Sequence, residues 1–204
     1  MISGVHADSF VETRAPGLHL TVRKAVMHDI VPILDLINGY AARGIMLPRT
    51  EFEMSESIRD FTVVTNNGDL LGCGALHFYS PTMGEIRSLA VDERAKAHGV
   101  GRRLIEALVD EAERYELDAV FAFTYVVEFF NKVGFHQVER GVLPLKAWKD
   151  CLRCPKFQAC DERAVLRVLR PDRWAEILPE LWAQAPYTDT DALIQLPTPL
   201  AIVR

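Results

Sequence analysis

Residues 84–112, GEIRSLAVDERAKAHGVGRRLIEALVDEA, constrain the fold more than any other stretch. The first part, residues 85–91, is short and alternating, which predicts a strand. A polar segment follows at 92–98. Gly99-Val100-Gly101-Arg102 then opens a helical pattern with Val100, Leu104, Ile105, Leu108, Val109 and Ala112 on one face. Arg103, Glu106, Asp110 and Glu111 are assigned to the opposite, polar face. The first N–H groups of a helix have no internal partner and carry partial positive charge, and glycines let an anion approach the backbone. Lys96, His98, Arg102 and Arg103 add charge around the turn, so the reading is a site for a pyrophosphate-bearing cofactor. The same spacing also describes a glycine turn with no ligand. A dinucleotide fingerprint would need glycine where Leu104 stands, and a P-loop would need Lys after Gly101, where Arg102 stands.

The remainder of the 204 residues supplies partners for that unit. Residues 1–19 read as a flexible lead-in and 20–25 as a strand. Asp29 is placed to cap a helix carrying Ile30, Ile33, Leu34, Leu36, Ile37 and Tyr40, ended by Gly44. Thr50 with Glu53 forms a capping box before a second helix. Strands at 61–65 and 70–79 flank Asn66-Asn67-Gly68-Asp69, a hairpin signal. Residues 119–124 form a continuous apolar strand of the kind covered on both faces. A short segment at 126–133, the Gly134-Phe135 turn, a strand through Val138 and a last strand at 163–169 follow. The expected class is α/β, a mixed central sheet flanked by helices.

Hydrophobic residues at 49% and charged residues at 25% describe a globular chain. A net charge of −5 argues against a general nucleic-acid surface. No apolar run approaches the roughly 18 residues that span a membrane, and the N-terminus has no secretory core, so the expected compartment is the cytoplasm.

Leu89-Ala90-Val91, then a basic turn ending Gly99-Val100-Gly101-Arg102, then a helix, resembles the acetyl-CoA site of the GNAT acetyltransferases. The element order matches that fold over residues 20–139. Lys96 stands where the family turn usually has Arg or Gln, and Ala97 where a further glycine often occurs. Within the family the chain is similar to short, single-domain N-acetylglutamate synthases. That likeness rests on Leu47-Pro48-Arg49, Gly72-Cys73-Gly74-Ala75-Leu76-His77, residues 85–91, residues 124–135, Leu143-Pro144 and Trp148-Lys149-Asp150-Cys151. It covers about 21–169, within a domain expected at 20–169.

The resemblance implies acetyl-CoA as co-substrate, held by Leu89, Ala90, Val91, Lys96, Ala97, His98, Gly99, Val100, Gly101 and Arg102. It implies L-glutamate as acceptor, the first step of arginine synthesis, with Arg49 and Arg87 on its two carboxylates. Arginine suits this because its fork binds carboxylate in bidentate fashion. Glu85 is the expected general base, with His77 on the neighbouring strand as a second candidate. The family tyrosine that protonates the leaving thiolate falls at Phe130, so Tyr125, Ser88 or water must replace it. Other readings stay open: another amine acceptor, or a non-catalytic acyl-CoA sensor.

Cys73 reads as a buried small hydrophobe. Cys151, Cys154 and Cys160 form Cys-x₂-Cys-Pro-x₄-Cys, a candidate metal or iron–sulfur chelate short of one ligand, with Asp161, His136 or another subunit's cysteine to complete it. Redox-active or free thiols are the alternative. Residues 170–204 lie outside the resemblance. Trp174, Ile177, Leu178, Leu181 and Trp182 suggest a short amphipathic helix that docks on the body or on a second copy in a homodimer.

Overall fold

The computed structural model describes residues 19–139, 143, 156 and 159–183. Seven strands form one sheet: β1 (Leu20–Lys24), β2 (Phe61–Asn66), β3 (Asp69–Phe78), β4 (Met83–Val91), β5 (Ala119–Thr124), β6 (His136–Val138) and β7 (Arg163–Val168), in the order β1-β2-β3-β4-β5-β7-β6. Every neighbouring pair is antiparallel except β4 and β5. The helices are α1 (Ile30–Ala41), α2 (Glu51–Ser57), α3 (Val100–Arg114), α4 (Val127–Asn131) and α5 (Pro171–Ala183).

Local chemistry explains most boundaries. The β2–β3 hairpin turns through Asn67 (φ 50°) and Gly68 (φ 96°), the left-handed pair of a tight two-residue turn. Thr50 Oγ1 accepts from the Glu53 N–H while Glu53 returns to the Thr50 N–H, closing the expected capping box on α2. Asp29 differs from expectation. Its carboxylate does not cap α1; it accepts from both guanidinium nitrogens of Arg23 at 2.7 and 2.9 Å and from the Val26 N–H at 2.8 Å.

The core lies on both faces of the sheet. Ile33 and Ile37 of α1 and Met54 of α2 pack with Phe61, Val63, Cys73 and Ala75 on one face. Ile105, Leu108, Val109 and Ala112 of α3 pack with Leu76, Ile86, Val120 and Ala122 on the other. Burying each such aliphatic side chain contributes about 1.5–3 kcal/mol. Glu111, expected on the polar face of α3, is instead buried. Lys24 Nζ donates to both its oxygens at 2.8 and 2.9 Å, so a strand far away in sequence supplies the charge that burial requires.

Trp174 of α5, beyond the region of family resemblance, is buried against Tyr79, Phe121 and Leu166, and Arg173 Nε lies 3.1 Å from the fully buried Asp118 carboxylate. The start of the C-terminal extension is therefore docked on the body. Among the described residues, no helix is long and apolar enough to cross a membrane.

Candidate active site

Two irregularities in β4 open the site. It pairs with β5 only over Met83 to Glu85, opposite Ala119 to Phe121. Beyond Glu85 the two strands part, while β5 continues its ladder with β7 on its other edge. In the same region the β3–β4 register shifts: Ala75 faces Arg87 and Cys73 faces Ala90, so Ser88 and Leu89 together oppose Gly74. Ser88 sits at φ 53°, the left-handed backbone of a bulge. The parting strands border a cleft of about 1860 Å³. That exceeds the roughly 300–1,000 Å³ of a single small-ligand pocket, so it has room for a nucleotide-sized molecule and a second substrate together.

At one end lies the turn before α3. Ala97 (φ 66°) and Gly99 (φ 77°) both hold left-handed backbone, which for alanine costs about 1–2 kcal/mol. The Arg103 N–H donates to the Gly99 carbonyl, leaving the earlier N–H groups of α3 outside the intrahelical ladder. A Cβ on Gly101 would lie 3.2 Å from Phe129 Cζ and 3.6 Å from a Val91 methyl, so glycine keeps the groove beside the helix terminus open. Leu89, Val91, Lys96, Ala97, Gly99, Val100, Gly101 and Arg102 line the cleft. Ala90 does not; it is packed in the core under α1 and α2. His98 is exposed outside the lining, its Nδ1–H donating to the Lys96 carbonyl at 2.9 Å. Lys96 Nζ sits 2.6 Å from Glu93, whose bond holds the ammonium above the usual lysine range. Arg102 pairs with Glu106 at 2.8 Å.

At the other end, Asn38 clamps the loop after α1: its side chain donates to the Arg49 carbonyl at 3.0 Å and accepts from the Arg49 N–H at 2.9 Å. Arg49 Nε in turn donates to Ser88 Oγ at 3.1 Å. Glu85 is buried, and Arg87 Nη1 lies 3.9 Å from its Oε2, an ion pair too long to be a hydrogen bond. Arg49, Glu85, Arg87 and Ser88 all line the cleft. His77, cross-strand from Glu85, lines it as well and meets Asp60 at 3.2 Å.

Phe130 is buried between Phe129 and Phe135 and brings no hydroxyl. The Tyr125 hydroxyl at the rim accepts from Lys156 Nζ at 3.2 Å. Burial pushes the phenol above its ordinary pKa against the lowering pull of Lys156, so it stays protonated near neutrality. Nothing in the sequence assigns a role to Lys156, Asp60 or Asn38. Their roles come from neighbours 11 to 31 positions away, and no spacing rule reaches that far.

Cys160 lines the cleft, while Cys151 and Cys154 lie outside the described residues. Among the described residues no group of three His, Cys, Asp or Glu could hold a metal ion. Cys73 is fully buried, and burial pushes its thiol up to about 12, in keeping with a small hydrophobe.

Residues 35–135 match the family described as Acetyltransferase (GNAT). An uncharacterized N-acetyltransferase of Chlorobaculum tepidum is 39% identical over 154 residues, covering 76% of this chain and 99% of its own length. An amino-acid acetyltransferase of Mycobacterium tuberculosis is 35% identical over 121 residues, covering 58% of this chain and 69% of that one. The solved N-acetylglutamate synthase of Neisseria gonorrhoeae, complexed with coenzyme A and N-acetyl-glutamate, superposes with a TM-score of 0.68 at 29% identity. The match covers 74% of this chain and 35% of that one, so this chain spans about a third of that longer protein.

Proposed function

The chain belongs to the GNAT family of acetyltransferases, and from that premise we propose that it transfers the acetyl group of acetyl-CoA to the α-amino group of L-glutamate. The observation that carries this reading is that Arg49 and Arg87 line one cleft, Arg49 bonded to Ser88 and Arg87 3.9 Å from Glu85. An acceptor with two carboxylates needs two cations, and two guanidinium forks with fixed backbones supply them. The amino-acid acetyltransferase and N-acetylglutamate synthase relatives support the same acceptor class.

The co-substrate supplies an activated acyl carbon. The residues around the α3 terminus fit its pyrophosphate: backbone N–H groups, a glycine where a Cβ would crowd the groove, and Lys96 and Arg102 at the rim. Strand β4, unpaired with β5 after Glu85, offers its edge to the extended arm of the molecule.

At the reacting end, Arg49 and Arg87 hold the acceptor's carboxylates and Glu85 takes the ammonium proton. A positioned base of this kind contributes about 10²- to 10⁴-fold. Tyr125 gives the proton to the departing sulfur. A phenol, with an ordinary pKa of about 10, is closer to a thiol at about 8.5 than a serine hydroxyl is, so proton transfer from Tyr125 is better matched. Ser88 then serves to hold Arg49.

A thiol-release assay with acetyl-CoA and a panel of amino acids tests the reading. Glutamate should give the highest kcat/KM, with aspartate and glutamine far behind. Faster turnover of another amine would keep the acetyltransferase and overturn the acceptor.

A further inference from the structure

Acetyl transfer to an ammonium group has a proton surplus. The substrate enters as R–NH₃⁺ and leaves as an amide with one N–H. The N–C bond forms and the C–S bond breaks; the sulfur takes its proton from Tyr125, one nitrogen proton restores Tyr125, and the other must reach solvent at every turnover. The group proposed to collect it, Glu85, has a side chain only 11% exposed. A carboxyl so enclosed needs an outlet before it can act again.

The register of the sheet supplies one. His77 on β3 is directly opposite Glu85 on β4. Cross-strand pairs place their side chains on the same face with Cβ atoms about 4.5–5.5 Å apart. Both residues line the cleft. Asp60 stands 3.2 Å from His77 Nδ1. A carboxylate only accepts, so Nδ1–H donates to Asp60, and the lone pair of the neutral ring is on Nε2. The His77 imidazole and the Tyr79 ring stand perpendicular with centroids 5.4 Å apart, which further fixes the imidazole plane. Its side chain is 37% exposed, against 11% for Glu85, so it joins the enclosed carboxyl to water. Asp60, from the turn after α2, contacts His77 directly, and Glu85 stands across the strand pair from it.

We propose that His77, oriented by Asp60, is the proton outlet of the site: Glu85 passes the substrate's proton to His77 Nε2, and the imidazolium releases it to solvent. This rests on the acetyltransferase reading but not on glutamate as acceptor, since any ammonium substrate carries the same surplus. His77 and Asp60 are thus relay and positioning residues behind the base, and should act on kcat more than on KM.

The test is steady-state kinetics of the full chain and of His77→Ala, His77→Gln and Asp60→Asn, with whichever amine the intact protein acetylates best. Both His77 variants should lose kcat on the order of 10²-fold, with the KM for acetyl-CoA within about twofold of the parent. Asp60→Asn should lose less. Added imidazole should restore turnover of His77→Ala in proportion to its concentration and do nothing for the parent, a response that a merely structural histidine would not give. Unchanged kcat in either His77 variant would overturn the outlet. So would a loss in the folded His77→Ala variant, its thermal midpoint matching the parent's, that imidazole fails to restore. A parent chain that acetylates no amine would overturn the proposed function, and the relay with it.

Discussion

Arg49 Nε donates to Ser88 Oγ across 3.1 Å, tying the loop after α1 to the bulge in β4. This one bond aims a guanidinium from an irregular segment at the same end of the cleft as Arg87. Ser88→Ala should therefore act on acceptor binding, raising its KM about tenfold, which corresponds to one net hydrogen bond of roughly 1–1.5 kcal/mol. The kcat should change little. Tyr125→Phe should do the reverse, lowering kcat while the acceptor KM holds. Steady-state kinetics of the pair separate positioning from proton donation. A large kcat loss in Ser88→Ala with none in Tyr125→Phe would move the acid to Ser88.

Gly101, at the start of α3, leaves space that a Cβ would fill 3.2 Å from Phe129 Cζ, in the groove proposed for the pyrophosphate. Gly101→Asp would bring a side chain within reach of Phe129 and a negative charge to the α3 terminus. Acetyl-CoA affinity should fall by about 2–5 kcal/mol, the cost of an unpaired like charge at a buried contact. Calorimetry on the folded variant checks it, and unchanged affinity would remove the pyrophosphate site from this turn.

The end of α3 carries a different strain. The Leu117 N–H reaches back to the Ala112 carbonyl and the Glu116 N–H to the Glu113 carbonyl, a Schellman closure with Glu116 at φ 60°. Glycine relieves a left-handed penalty of about 1–2 kcal/mol but gives back about 0.5–1 kcal/mol in unfolded-chain entropy. Glu116→Gly should thus stabilise by roughly 0.5–1 kcal/mol, raising Tm by about 1–4 °C. The lost contact with Arg170, at 3.7 Å and exposed, offsets little of that gain. A lower Tm would contradict this account of the helix end.

Acid should loosen the β1–α1 corner. Burial pushes the Asp29 carboxyl up, but the Arg23 guanidinium and the Val26 N–H outweigh it and hold the group below its ordinary value of 3.8. A depressed folded pKa means that the unfolded chain binds the proton more readily. The contribution is then complete above about pH 3.8 and is lost as pH falls through the lower folded value. Asp29→Asn should cost about 2 kcal/mol at pH 7, and its deficit against the parent should shrink below pH 4. Urea midpoints at the two pH values measure this; a deficit that stays constant would contradict it.

Local signals carried the sequence reading a long way. The capping box of Thr50 and Glu53, the Asn67-Gly68 turn and the apolar stripe of α3 are each written within a few residues, and the structure has all three. Asp29 stands at the N-terminus of α1 as expected, but Arg23, six residues earlier, takes its carboxylate; Glu111 is buried because Lys24, 87 positions away, is brought to it only by the assembled fold. The cleft is similar. Alternation puts Glu85 and Arg87 on one face of a strand, but nothing local announces that β4 bulges at Ser88 or parts from β5 after Glu85. Those features exist only once β4 is set against β3 and β5.

The proposed acceptor, a dicarboxylic amino acid, depends on Arg49 and Arg87 holding its two carboxylates in the cleft. The most direct measurement is the glutamate KM of Arg87→Ala beside the parent and Arg87→Lys. Removing one fork strands a substrate carboxylate, at a cost of about 3 kcal/mol, so the KM should rise on the order of 10²-fold while the KM for acetyl-CoA barely moves. Lysine should recover part of the loss, because it returns the charge without the bidentate geometry. An Arg87→Ala enzyme with unchanged glutamate kinetics, or a parent that acetylates another amine and never glutamate, would contradict the claim.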